Sequence, residues 1–343
     1  MGGRLRSQSL WGKKKKVQTK YGELSVGWEH CLAPGGKQGF RASPFLQELA
    51  CHVGQSVPFD EGSELLWKLG GCELSDKQIE RISHHYGEEL GQQEAEEADS
   101  QPLVVKTELH YALADGSMVY TREDGWREMK LGRVFAASSL VAYKGRREVA
   151  ASRYTAHLGG HADFFQKFDR HLDGLRNLVV LADGAAWIWD FFDANYPGAV
   201  QILDFFHAAE RLGQFALLHF KDKEERDRWM DAQKAKLLED GVDEVRQTLE
   251  ELHCGAQALD CQQKTLTYLA NNRHRMLYKT YKDKGYLIGS GPIESAHRHV
   301  IQQRLKLAGQ RWTRNGAQQI ATLRVTYKND QTDQLLKLIR KAA

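Results

Sequence analysis

Paired cysteines are missing from this chain. Its five cysteines, Cys31, Cys51, Cys72, Cys254 and Cys261, are odd in number, scattered and without a CxxC pair. That excludes a disulfide scaffold and makes a reducing compartment the natural setting. The same scatter supplies no ligand set for a structural zinc ion. Also absent is any apolar run of about 18 residues or more, so no segment reads as a membrane span. The basic start, RLRSQSLWGKKKKVQTK, lacks the apolar stretch that a signal peptide would need next. Acids are absent from residues 1–20, which hold seven Lys/Arg, and scarce from Lys284 onward, where eleven Lys/Arg face three Asp/Glu.

What is present is ordinary for a globular chain: 343 residues, 41% apolar, 27% charged, net charge +3. The length suits about two domains. Basic segments at both ends suggest a polyanion partner, because phosphate neutralisation releases counterions; the alternative is solvated surface. Residues 1–20 read as a basic tail. Residues 21–87 read as a small helical module, with Phe45, Leu46, Leu49, then Leu65, Leu66, Leu69, and Ser75 as N-cap ahead of Ile79, Ile82 and Tyr86. A helix-turn-helix entering a DNA groove and a plain packing module fit it equally. Residues 88–104, acidic and poor in large apolar residues, read as a linker, and 329–343 as a basic tail.

Between them the period changes. LVVKTELHYALADGSMVY, GWREMKLGRVFAA and REVAASRYTAHL predict three antiparallel strands, with the EDG at 123–125 turning the first hairpin. HADFFQKFDRHLDGL is helical, NLVVLADG is a strand buried on both faces, AAWIWDFFDANYP is a helix and AVQILDFF a further strand. The expected fold class is therefore α/β with a mixed sheet. A charged helical block over about 208–284 interrupts it before the last helix.

Three acids stand at expected edges of structure: Asp115 in HYALADGSMVY, Asp183 in NLVVLADGAAW, and Glu294 in GSGPIESAHRH. Carboxylates so placed can converge on divalent cations, which prefer oxygen ligands, and a metal pair can activate a nucleophile and stabilise the leaving oxygen of a phosphodiester. Each acid has a plainer reading: Asp-Gly is a common turn pair, Asp183 can cap the following helix, and Glu294 suits a first helical turn after Pro292. Asp204 and His207, three apart, either position substrate or lock the helical block onto the sheet. Arg298, Arg304, Lys306, Arg311 and Arg314, with Trp312 among them, suggest a helix contacting phosphates and stacking a base; otherwise the helix is solvated and Trp312 belongs to the core.

The blocks LADGAAWIWDFFDANYPGAVQILDFFHAAERL and IGSGPIESAHRHVIQQRLKLAGQRWTRNGAQQIATLR, together with ADGSMVYTREDGWREMKLGRVF around the first acid, three blocks in the right order, resemble transposases of the ISKra-type bacterial insertion sequences, within the Mutator-like DDE group. The resemblance covers residues 105–328. It implies a ribonuclease-H-like DDE catalytic domain with an all-helical insertion, cytoplasmic and nucleoid-associated in a bacterium, cutting and joining DNA at transposon ends with Mg²⁺ or Mn²⁺, two ions being expected, with a homodimer on paired ends as one arrangement. Asp115, Asp183 and Glu294 then form the catalytic, metal-binding triad, and Asp204 and His207 the supporting acid-x-x-His motif. EHCLAPGGKQGF keeps only Cys31 of the paired cysteines of such transposases, so no zinc is expected. The match begins abruptly at that end, as a truncated chain's would. The alternative is a transposase remnant that only binds DNA.

Overall fold

The computed structural model describes residues 15–19, 22–26, 40, 42–96, 106–143 and 146–342. Cys31, most of the expected basic tail 1–20 and residues 97–104 of the expected linker lie outside them. The chain divides into two compact units: Met1–Asp99 with Tyr120–Gly125 and Gln302–Ala343, and Ser100–Val119 with Trp126–Ile301.

The first unit begins with an antiparallel pair, β1 (Lys15–Thr19) and β2 (Gly22–Val26), so part of the expected tail is strand. Helix α1 (Pro44–Ser56) is started by Ser43, whose hydroxyl accepts from Leu46 N–H at 3.4 Å, and by Pro44 at the position where no N–H is needed. Helix α2 (Phe59–Gly70) stops at Gly71, which takes the left-handed conformation at φ 60°. Helix α3 (Asp76–Glu96) continues to Glu96. The expected linker is therefore helical up to that point. Glu, Gln, Leu and Ala favour a helix, and Leu90 is buried.

The second unit carries a five-stranded sheet. Strands β3 (Lys106–Thr121) and β4 (Gly125–Ala136) are neighbours joined by the short turn at 122–124. A separate small hairpin, β5 (Leu140–Tyr143) and β6 (Arg146–Val149), splits what the sequence presents as one third strand; β7 (Arg153–Leu158) is the part that joins the sheet. Then come helix α4 (His161–Phe168), β8 (Leu175–Ala182), helix α5 (Ala186–Asn195) and β9 (Val200–Leu203). The order is β7-β4-β3-β8-β9, antiparallel between β4 and β7, parallel from β3 through β8 to β9. The expected mixed α/β sheet is thus present. Leu178–Ala182 are buried because β8 is paired on both edges and covered on both faces.

Five helices follow: α6 (Phe205–His219), α7 (Lys223–Leu238), α8 (Val242–Glu250), α9 (Ala256–Asn272) and α10 (Tyr278–Asp283). They enclose Leu212, Phe215, Leu237, Val245, Leu249 and Leu269. Helix α11 (Gly291–Ala296) widens into a π-helical turn at His297–Gln302 and ends in α12 (Gln303–Leu305).

Helices α13 (Arg314–Lys328) and α14 (Thr332–Ala342) belong to the first unit, where α13 packs on α3. Two expectations are corrected here. The unit boundary falls after Ile301 rather than at 328, and the expected C-terminal tail 329–343 is mostly helix. Leu335 and Ile339, four apart, are buried on one face of α14.

Two further corrections concern DNA. Arg304 is 1% exposed and Trp312 7%. The Arg304 Nε donates to Gly54 O at 2.9 Å, and its guanidinium lies 4.7 Å from the ring centres of both Phe59 and Trp312. The Trp312 indole N–H donates to Leu305 O at 3.1 Å. Nearby, the buried Arg324 donates to Gln55 O. Gly54 and Gln55 stand in the last turn of α1, whose carbonyls have no helical partners, so these two arginines finish that helix instead of meeting phosphate. Burial pushes both guanidinium pKa values down, each to about 10, and for Arg304 the neighbouring Arg324 adds to the effect. Arg311 follows α12 and Arg314 opens α13; both are exposed, Arg314 bound to Asp124 with its Nε 2.8 Å from Oδ2. Arg298 and Lys306 are also exposed.

Candidate active site

The site grows from strand register. Leu113 pairs Leu181 across β3 and β8, and Ala182 pairs Leu203 across β8 and β9. Continuing those registers sets Asp115, within β3, beside Asp183 and Asp204, which follow the carboxyl ends of the parallel strands β8 and β9, with a strand-to-strand spacing of about 4.8 Å. Crevices at such ends are where open α/β sheets bind ligands. Asp115 is not at a turn, since β3 runs on to Thr121.

Asp183 caps the approach to α5, its Oδ1 accepting from Ala185 N–H at 3.0 Å. Its pKa is pushed up, first by burial and then by the Asp115 charge, against the pull of the Ala185 hydrogen bond and His207. Gly184 has φ 95°, and a Cβ there would meet the Tyr268 ring at 2.8 Å and Leu203 at 3.0 Å. Only glycine lets the chain turn there, and the Tyr268 hydroxyl donates to Asp183 O at 3.0 Å.

Asp204 is fully buried. Its Oδ1 caps α6 by accepting from Phe206 N–H at 2.5 Å and His207 N–H at 3.2 Å, while Oδ2 accepts from Ser290 N–H at 2.7 Å. Burial works to raise its pKa, yet the bonds from His207 and Ser290 hold it below the usual carboxylate range. The His207 Nδ1 stands 3.4 Å from Asp204 Oδ2. That carboxylate raises the imidazole to about 9 against the opposing effect of burial, with Asp183 and Asp115 adding to the rise. His207 is therefore a cation at neutral pH, beside two carboxylates.

Glu294 arrives from the other side of the fold's topology. The loop before it is tied down where Phe205 N–H donates to Ile288 O at 2.9 Å, Leu287 N–H to the Tyr111 hydroxyl at 3.2 Å, and the buried Arg133 to Pro292 O at 2.5 Å. Ser290 Oγ donates to Glu294 Oε1 at 3.3 Å. Three residues on, the buried His297 brings Nε2 to 3.2 Å from Asp115 Oδ2, while Asp115 Oδ1 accepts from Gly116 N–H at 2.6 Å. Neither ring nitrogen of His297 makes a well-formed hydrogen bond among the described residues.

Asp115 and Asp183 are thus brought into electrostatic contact, with Asp204 and His207 beside them and Glu294 joined through Ser290 and the His297 helix. The expected compact triad is corrected in one respect: among the described residues no three His, Cys, Asp or Glu side chains stand together as a ready cation site. Ser290 holds Glu294 toward its own helix start. The donor chemistry still fits a divalent cation. Asp115 and Asp183 are oxygen donors whose mutual repulsion a cation would relieve, and no ion pair within the described residues reaches Asp183. Sequence reasoning missed His297, Ser290, Arg133 and Tyr268. For His297 the signal was there, since residues three apart share a helix face.

No family model matches the chain. It is similar to a "UPF0236 protein in vanSb 3'region" of Streptococcus gallolyticus, 23% identical over 339 residues, covering 92% of this chain and 73% of that protein.

Proposed function

We propose that this chain is a DDE-type DNA transposase, with a ribonuclease-H-like catalytic unit that cuts and rejoins phosphodiester bonds at transposon ends. The observation that carries the reading is the pair Asp115 and Asp183: two carboxylates in register on adjacent parallel strands, one of them driven up in pKa by burial and by the other. Keeping like charges together in a fold is costly unless a ligand uses them. Asp115 lies on the central strand β3 and Asp183 on its parallel neighbour, which supports the ribonuclease-H-like reading.

Asp115, Asp183 and Glu294 would hold Mg²⁺ or Mn²⁺, which when bound acidifies the attacking hydroxyl and stabilises charge on the phosphorus oxygens. In the first step water attacks phosphorus and the P–O3′ bond breaks, leaving a free 3′-hydroxyl and a 5′-phosphate. In the second that hydroxyl attacks a target phosphate and displaces the target's own 3′-oxygen. His207, cationic beside the row, offsets the negative charge that DNA brings there. Asp204 keeps His207 and the Ser290 loop in place and so positions Glu294. Exposed Arg298, Lys306, Arg311 and Arg314 are the phosphate-contacting candidates that remain.

The test is nicking of supercoiled plasmid and of end-bearing oligonucleotides by the purified chain with Mg²⁺ or Mn²⁺. Cleavage abolished by Asp183→Asn with DNA binding retained is the expected result. Tight binding without cleavage under either metal would replace this reading with a DNA-binding remnant.

A further inference from the structure

Phe206 stands between Asp204 and His207, and the fold leaves it 64% exposed, whereas its neighbour Phe205 is buried. Burying a phenylalanine is favourable, so the fold forgoes that gain here. The ring is nevertheless held. The Phe206 N–H is bound to Asp204, Phe205 packs edge-on with ring centres 5.5 Å apart, and the Gly289 backbone lies so close that an added Cβ would be 2.7 Å from a Phe206 ring carbon. Further along the same helix the exposed Arg211 lies 5.4 Å above the Tyr268 ring, whose hydroxyl binds Asp183 O. An exposed aromatic ring and a cation therefore stand on the one helix that Asp204 caps.

A paired base in duplex DNA presents only edges to the grooves, because its faces are covered by its neighbours. An unpaired base offers a face, and stacking on an aromatic ring is tolerant of sequence. We propose that Phe206 is a stacking platform for an unpaired nucleobase next to the bond being cut, with Arg211 on an adjoining phosphate. The preferred substrate is then locally single-stranded DNA or a nucleotide turned out of the duplex. This rests on the phosphodiester reading above.

Binding can be read without cleavage, by fluorescence anisotropy in Ca²⁺ buffer, with a 12-nucleotide oligothymidylate and a blunt duplex of equal length as probes. Phe206→Ala should weaken oligothymidylate binding by about fivefold to a hundredfold and duplex binding by about twofold at most, with an unchanged salt slope. Phe206→Trp should retain binding, and Phe206→Leu should resemble the alanine variant. Arg211→Gln should weaken both probes and lower the slope by about one unit. Equal loss on both probes, no loss in Phe206→Ala, full retention by Phe206→Leu, or no oligothymidylate binding by the unaltered chain would overturn the proposal. A chain that shows the stacking pattern in Ca²⁺ but never cuts in Mg²⁺ would instead remove the cleavage reading beneath it.

Discussion

In the helical unit, Arg304 and Arg324 are buried with their N–H groups on carbonyls of Gly54 and Gln55 and, for Arg304, with aromatic rings on both sides. In the sheet unit, Asp115 and Asp183 are partly buried on neighbouring strands, and Asp183 is worse off as an anion than it would be in water. Both units take charge out of solvent, and in both some of it is met by backbone, as Asp204 and Arg133 are in the sheet unit; Asp183 is the buried acid that also senses a like charge. A buried charge whose hydrogen bonds are met by the fold is structural. A buried charge left against its like points to a ligand.

The largest expected effects come from removing one charge of each kind. Asp183→Asn should lower cleavage by on the order of a thousandfold and yet raise the unfolding midpoint, because it deletes a carboxylate that the fold disfavours. Arg304→Met should do the reverse in stability. It strands the Gly54 carbonyl and loses the aromatic stacking, a cost of about 3 kcal/mol by denaturant unfolding. If Asp183→Asn destabilises the chain at neutral pH, the row is structural after all and the contrast fails.

Trp312 sharpens the same contrast. Trp312→Ala should cost about 3–5 kcal/mol of stability, whereas Arg311→Gln, one residue away and exposed, should leave stability unchanged and lower the salt slope of DNA binding by about one unit. Equal unfolding midpoints for the Trp312→Ala variant and the parent chain would contradict a core role.

These two neighbours also show how far the sequence could be read. Strand and helix positions in the sheet unit follow from apolar periodicity, and the carboxylates at strand ends were visible as Asp-Gly pairs after apolar runs. Trp312 was legible as core only as the alternative, and Arg304 not at all, because a basic residue near a tryptophan looks the same whether it faces a phosphate or a helix end. What decides is the arrival of α1's last carbonyls, from positions some 250 residues earlier. The acidic segment at 88–96 misled for a related reason: charge suggests a linker, but α13 supplies the partner that makes it a helix. The His297 contact to Asp115 joins β3 to the π-helical turn after α11; spacing from Glu294 marks His297 as sharing its helix face, but no local pattern encodes the pairing with Asp115.

That contact gives a subtler prediction. With Gly116 on one oxygen and His297 near the other, Asp115 has a fixed orientation, and losing such an outer partner costs about 10–100-fold in metal affinity. His297→Leu should weaken Mn²⁺ binding, followed by electron paramagnetic resonance of the free ion, by that factor. His297→Gln, which keeps a donor, should recover most of it. Unaltered Mn²⁺ affinity in His297→Leu would reduce His297 to packing.

The smallest effect is a pH dependence that ties His207 to the row. Its folded-state pKa is about 9, above the ordinary value of about 6.5. The stabilisation it provides is therefore complete below about pH 6.5 and disappears as pH rises through 9. His207 is part-exposed, so solvent screening keeps the contribution under about 1 kcal/mol. The difference in unfolding midpoint between the parent chain and His207→Gln should be present at pH 6 and vanish by about pH 10. Groups titrating equally in both proteins cancel from that difference. Because the Asp183 and Asp115 charges add to the pull of Asp204, repeating the comparison in an Asp183→Asn background should move the fall to lower pH. A difference constant across pH would mean that His207 is uncharged in the fold, and an unmoved fall in the double variant would mean that it does not sense the carboxylate row.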